Sequence, residues 1–186
     1  MEKIFNGELM AFIPQYVEDR GNCTIVYRKN MEPNIIEKTL KTVIRSIGKY
    51  YMIDLNEAKK RYRLLVSSPN LVPIPLSKQD VFVPIKVRVP ICKGDGAFGY
   101  INLRYIDKIK KEKKNTIVLL SDGTNLKCLS SLATVKNHIR NGNIVSKCYE
   151  NRSMRVCENE EIYNAMLPAT KADIAMLRQE LQSKIT

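Results

Sequence analysis

One histidine, no tryptophan and five cysteines without a C-x-x-C spacing give metal and redox chemistry little to work with in a chain of 186 residues. Cys23, Cys92, Cys128, Cys148 and Cys157 are odd in number and scattered. That points away from a disulfide framework or a zinc knuckle and toward reduced, mostly buried thiols. His138 has no Cys, Asp or Glu at metal-ligand or triad spacing, so a surface or half-buried position is expected rather than a catalytic one. The acid pair Glu160 and Glu161 falls in a tail outside the core, and no carboxylate arrangement nominates hydrolysis. No catalytic, cofactor-binding or metal-binding residue is assigned, and the chain reads as a non-enzyme. No apolar run approaches the roughly 18 residues of a membrane span. The N-terminus "MEKIFNGELM" is interrupted by acid instead of running from basic to apolar as a signal peptide does, so a cytoplasmic protein without membrane insertion is expected.

Acidic residues are scarce as well. There are 19 against 31 Lys and Arg, a formal charge of +12. The imbalance is uneven: residues 158–186 hold five acids and three bases, which leaves +14 on residues 1–157. A domain that basic is expected to meet polyanions, either nucleic acid or an anionic surface. The domain organisation follows from this change of sign, with a basic domain at 1–157 and an acidic tail at 158–186.

Along the chain, strand and helix patterns alternate. "ELMAFIP" and "CTIVYR" read as strands around the turn-rich "EDRGN". "NIIEKTLKTVIRSIG" has the period of a helix: Asn34 and Glu37 give a capping-box signal, Ile36, Leu40, Val43, Ile44 and Ile47 form an apolar face, and Gly48 gives a stop. Its outer face is basic through Lys38, Lys41 and Arg45, with Lys49 just beyond. "DLNEAKKRYRLL" opens on a second capping box, Asp54 and Glu57, and carries Lys59, Lys60, Arg61 and Arg63. Two adjacent basic helices suggest phosphate and groove contacts. A helix-turn-helix ranks second, because "GKYYMI" is longer and more apolar than the usual turn of about three or four residues.

The three prolines of "SSPNLVPIPLSKQD" predict an extended connection. In "VFVPIKVRVP", Val81, Val83, Ile85, Val87 and Val89 alternate with a face carrying Lys86 and Arg88. The segment "CKGDGAFGY" then presents Gly94-x-Gly96-x-x-Gly99, the spacing of a dinucleotide fingerprint. Such a fingerprint needs a helix to start at its glycines. Here "YINLRYI" comes next, with Ile101, Leu103 and Tyr105 alternating with Asn102 and Arg104, so the glycines join strand to strand in a flexible hairpin tip carrying Lys93. Antiparallel pairing about that tip lets Lys86 and Arg88 share a face with Asn102 and Arg104. "DKIKKEKKN" reads as a charged turn. "TIVLLSDGTNLKCL" reads as a hairpin with a type I′ turn at Asp122-Gly123 that pairs Leu119 with Leu126 and Ile117 with Cys128. "SSLATVKNHIRNG" reads as a helix with Leu132, Val135 and Ile139 inward and Gly142 near its end. The expected fold is α+β: a mostly antiparallel sheet, two or three helices and a C-terminal helical tail.

The order of these blocks carries a resemblance. "MAFIPQY", the helix ending "IRSIGKYY", "EAKKRYR", "SSPNLVPIPL", "VFVPIKV", "GYINLRYI", "NTIVLLSDGTNL" and "SSLATVKNHI" together resemble the ComK competence transcription factors over roughly residues 9–145. The resemblance implies a bacterial transcription activator that binds double-stranded DNA at paired A-rich and T-rich elements, through the minor groove and as an oligomer. Lys59, Lys60 and Arg61 match the family's basic Gly-Arg-Lys-type segment, with Glu57-Ala58 in place of its glycine. Tyr100 stands where the family has a tryptophan, and the family's loop at "CKGDGAFGY" is shorter. Electrostatics points the same way: the minor groove of an A-tract is narrow and strongly negative, so an inserted Arg or Lys reads its width. The DNA-binding residues expected are Lys59, Lys60, Arg61 and Arg63, the α-helical Lys41, Arg45 and Lys49, and Lys86, Arg88, Lys93 and Arg104 of the sheet and its loop. Two alternatives stand beside this reading, a nucleic-acid binder without sequence preference and a basic regulator that docks on an acidic protein.

In the tail, Thr170 and Asp173 give a capping signal for "KADIAMLRQELQSKI", in which Ile174, Leu177, Leu181 and Ile185 recur at helical spacing. At about two heptads it is too short for an isolated coiled coil, and it comes after the acidic, loop-like "ENEEIYNAM". Assembly or partner docking is the role expected of it. ComK-like proteins also carry near this place a segment read by a Clp-protease adaptor. Here Ala165 to Pro168 keeps its Met-Leu-Pro and lacks both aromatics, which weighs against adaptor control.

Overall fold

The computed structural model describes the backbone of residues 7–166 and the side chains of residues 7–151. Two compact units divide the chain, Met1–Tyr149 and Glu150–Thr186. In the first unit, β1 (Leu9–Val17), β2 (Gly21–Arg28) and β3 (Asn34–Ile36) are followed by α1 (Leu40–Tyr50) and α2 (Leu55–Arg63). Then come β4 (Ile74–Pro75), β5 (Val81–Lys86), β6 (Phe98–Asn102), a single 3-10 turn at Leu103–Tyr105, and β7 (Ile106–Glu112), β8 (Asn115–Leu120) and β9 (Asn125–Cys128). The last helix, α3, runs Leu132–Met166. Six strands form an antiparallel sheet in the order β3-β2-β1-β6-β5-β4, and β7-β8-β9 form a second. The class is α+β, as expected. No described helix is long and apolar enough to cross a membrane.

The large sheet is buried on both faces, because alternate residues of a strand point to opposite sides. Met10, Val83, Ile85 and Ile101 pack against Val118, Leu120 and Leu126 of the small sheet and Val135 of α3. Phe12, Val26 and Phe82 face the other way, onto Leu40, Val43 and Ile47 of α1; an irregularity in β1 between Leu9 and Ala11 breaks the alternation and puts Met10 and Phe12 on opposite faces. The Phe12 and Phe82 rings stack at 4.9 Å between centroids. Each large side chain so buried contributes about 1.5–3 kcal/mol. Phe82 and Pro84 thus make the second face of β5 apolar, where the alternation had suggested a basic one; Lys86 only ends the strand, and Val89 is exposed.

Several boundaries differ from the sequence reading. Asn34–Ile36 is an edge strand paired with β2, and the helix begins after Thr39, whose extended backbone and hydroxyl cap Thr42 N–H. Glu37 caps no backbone amide among the described residues and pairs with Arg20 at 3.3 Å. The helix also runs past Gly48; it ends with Met52 at φ 53°, where Met52 N–H reaches Lys49 O and Ile53 N–H reaches Gly48 O. The lysine-rich "DKIKK" is a strand, its Ile106 and Ile109 turned toward the core and its lysines guarding a sheet edge. The hairpin register is one residue off: Val118 faces Leu126 and Thr116 faces Cys128. Only Gly123 has a positive φ across the three-residue turn, so the type I′ turn does not form, and the slip exchanges the inward and outward faces of β8.

The stretch expected to be loop-like, "ENEEIYNAM", is helical as part of α3. No Gly or Pro interrupts the chain between Gly142 and Pro168. Gly142 does not end this helix; it is the point where α3 crosses β5, and a Cβ there would collide with Val83 Cγ1. His138 is buried more deeply than the surface or half-buried position expected of it, and its burial holds the imidazole below its usual pKa.

Candidate nucleic-acid interface

Between α1, the start of α2 and the β5–β6 loop lies an open groove of about 900 Å³. Its walls follow from helical spacing. Lys41, Arg45 and Lys49 stand four residues apart on α1, so they line up along one side of the helix for about 12 Å. Asp54 caps α2 by accepting from Asn56 N at 2.8 Å and Glu57 N at 3.1 Å, which sets that helix so that Lys59 enters the same groove. Ile44, Ile74, Phe98 and Tyr100 give an apolar floor under this cationic rim. Lys41, Arg45, Lys49 and Lys59 make no ion pair among the described residues.

The opposite wall is the glycine loop, and it is braced. Tyr16 Oη donates to Asp95 Oδ2 at 2.5 Å and accepts from Ile91 N–H at 2.9 Å. Asn22 Nδ2 donates to Asp95 Oδ1 at 2.8 Å. Arg88 Nη2 donates to Asn22 Oδ1 at 3.0 Å, its Nε donates to Gly96 O at 2.8 Å, and its guanidinium lies over the Tyr16 ring at 4.2 Å. The Tyr16 hydroxyl, then Asn22 and Arg88, hold the Asp95 carboxyl below its ordinary pKa, so it stays ionised. Gly94, at φ 97°, takes the left-handed position of a turn closed by Asp95 N–H to Cys92 O. Gly94 is thus required by its turn, and Gly99 by its close approach to β1, where a Cβ would meet Ile13 and the Phe12 carbonyl; two of the three glycines have a structural reason without a nucleotide, and the bonds above make a braced wall of what reads in sequence as a flexible tip.

Five of the eleven basic residues expected at DNA are thus brought together: Lys41, Arg45, Lys49, Lys59 and Arg88. Lys60 and Arg61 are exposed outside the groove lining, since successive helix positions are about 100° apart. Lys60 is held 2.6 Å from Glu57, which raises its pKa. Arg63 is exposed at the end of α2, and Lys93 is exposed on the loop. Lys86 is half-buried where β5 ends. Arg104 lies elsewhere, against Gln79 and Glu8. Ile174, Leu177, Leu181 and Ile185 fall outside the described residues. Tyr16, Asn22 and Asp95 were not anticipated. Asp95 lies 79 positions from Tyr16 and 73 from Asn22, so no local spacing announces the group.

Fold and groove define a basic α+β domain, and comparison with known proteins supplies its family. The family model described as ComK protein matches residues 2–154. The chain belongs to the ComK family, whose members are competence transcription factors rather than enzymes. Neither the curated proteins nor the solved structures compared with it gives a match.

Proposed function

We propose that this chain is a transcription regulator that binds AT-rich duplex DNA through the minor groove and acts as an oligomer. The observation that carries the reading is the row Lys41, Arg45 and Lys49 facing Lys59 across one groove, all four without a carboxylate partner among the described residues. Unpaired cations at this spacing suit successive phosphates, because a stretch of about 12 Å spans three to four nucleotides of one strand. Phosphate contacts of this kind position a duplex, and the narrow, negative minor groove of AT-rich sequence adds preference without a base code. Residues 158–186 are assigned to assembly, because paired DNA elements call for more than one subunit.

The test is binding of the full chain to AT-rich duplex, GC-rich duplex and structured RNA at two salt concentrations. Preference for AT-rich duplex, with affinity falling about a thousandfold between 50 and 200 mM salt, is the expected result. Equal binding to all three would leave a non-specific nucleic-acid binder, and a flat salt response would leave a protein partner.

A further inference from the structure

At the far end of the braced loop, Val89 and Ile91 are 70% and 76% exposed, with Pro90 between them. These side chains add nothing to the core. The loop that displays them is nevertheless tied down, at Ile91 N–H, Asp95 and Arg88 by bonds to Tyr16 of β1 and Asn22 of β2, and at Gly96 by a bond from Arg88 across the loop itself. Ordering a loop costs about 1–2 kcal/mol per residue, and a simple connection between strands has no need of it. A tip that must hold apolar groups outward does. Pro90 fixes its own φ and offers no amide donor, so the tip is stiff and has one donor fewer to satisfy.

The surroundings identify the occupant. Arg88, Gly94, Asp95 and Gly96 of this loop form the wall of the cationic groove, and Lys93 is exposed two residues beyond Ile91. The apolar tip is therefore continuous with the basic surface, not a separate patch. We infer that Val89, Pro90 and Ile91 form a wedge that enters a base step from the minor groove, unstacking and bending the duplex. This rests on the DNA-binding reading above. Wedges of this kind repay an unstacking cost of a few kcal/mol with the extra surface that a bent duplex wraps. A tip already ordered loses no further entropy on insertion. Pyrimidine–purine steps unstack most easily, so the wedge selects a TA step inside AT-rich sequence.

The experiment uses the full chain and an AT-rich duplex with a central TA step, 2-aminopurine beside that step and a fluorophore pair at the ends. On binding, 2-aminopurine emission should rise and the ends should approach. The double variant Val89→Ser with Ile91→Ser removes only exposed side chains. It should keep the parent's thermal midpoint and salt slope, bind about tenfold more weakly, and neither unstack nor bend the site. Tyr16→Phe leaves the wedge residues in place but cuts the brace, and should bend the duplex less than the parent does. Changing the central TA to AA should weaken the parent and leave the double variant unaffected. Binding by the parent with AT preference and the expected salt slope, but without bending, overturns the wedge alone. So does a double variant that still bends the duplex. Absence of AT-preferring binding by the parent overturns both readings. A change of mass in solution in the double variant assigns the tip to a second copy and overturns the wedge.

Discussion

Tyr16 and Asp95 are 79 positions apart in the chain, and their side chains meet at 2.5 Å, the phenol of β1 donating to the carboxylate of the loop. The same phenol accepts from Ile91 N–H, so one oxygen couples both halves of the loop to the sheet. In Tyr16→Phe, trypsin cleavage after Lys93 should accelerate several-fold while the thermal midpoint of the whole chain moves little. Acid should act likewise. The Asp95 carboxyl is held below its unfolded pKa, so its contribution is present above about pH 4 and is lost as pH falls through the folded value. Amide-exchange protection of Ile91, corrected for intrinsic rate, should therefore be constant from pH 7 to pH 5 and fail only below about pH 4. Equal cleavage of parent and variant would mean that the brace does not hold the loop.

Gly142 gives a second test, because two effects of opposite sign compete there. Alanine in a helix interior is favoured over glycine by about 1 kcal/mol. Its methyl, however, would be driven into Val83 Cγ1 where α3 crosses the sheet, and overpacking of a tight core costs about 1–3 kcal/mol. Gly142→Ala should lower the denaturation midpoint, and Gly142→Leu should lower it much further. A raised midpoint with alanine would mean that helix propensity outweighs the crowding against Val83, and that the crossing of α3 over β5 does not require a glycine.

That glycine illustrates how far local pattern reaches. Features that depend on near neighbours were legible in the sequence: the β1–β2 hairpin, the Asp54 cap and the four-residue spacing of Lys41, Arg45 and Lys49. Features decided by partners far along the chain were not. Asn34–Ile36 shares the helical periodicity of residues 37–48, yet two consecutive isoleucines pair better with β2 than they extend α1. "DKIKK" resembles a turn because its lysines outnumber its isoleucines, but an edge strand needs only one apolar side and gains from charge on the other. The Asp122-Gly123 pair fits a two-residue turn and a three-residue turn alike, and the burial of Val118 with Leu126 selects the longer. In the candidate site, the helical lysines were visible, whereas the wall that Tyr16, Asn22, Arg88 and Asp95 build was invisible for want of any local signature.

His138 supplies a stability test in a different pH range. It is buried on α3, and its Nδ1 has no hydrogen-bond partner among the described residues. Burial holds its pKa below the ordinary value, so the folded chain binds fewer protons than the unfolded one near neutrality. Its contribution is full above about pH 6.5 and declines as pH falls toward the folded value. The denaturation midpoint should drop between pH 7 and pH 5.5, and His138→Gln should flatten that stretch of the curve. An unchanged slope in the variant would assign the effect to other groups.

The basic residues of α2 separate two ways of docking. Lys59, Lys60 and Arg61 are adjacent in sequence and match one family segment, but the helix spreads them over an arc of about 200°, and Lys59 alone lines the groove. If the duplex lies along the groove rim, Lys41→Ala, Arg45→Ala and Lys49→Ala together should reduce the slope of log affinity against log salt by about 2.7, roughly 0.9 for each phosphate that no longer meets a cation. Lys59→Ala should add nearly one more. The pair Lys60→Ala and Arg61→Ala should change the slope by less than one, because Lys60 already has Glu57 as its partner and neither faces the groove. All of these side chains are exposed, so thermal midpoints should stay within a degree or two of the parent and the slopes can be compared directly. A large slope change confined to Lys60 and Arg61 would mean that DNA meets the outer face of α2, and the groove would then lose its claim to the phosphates.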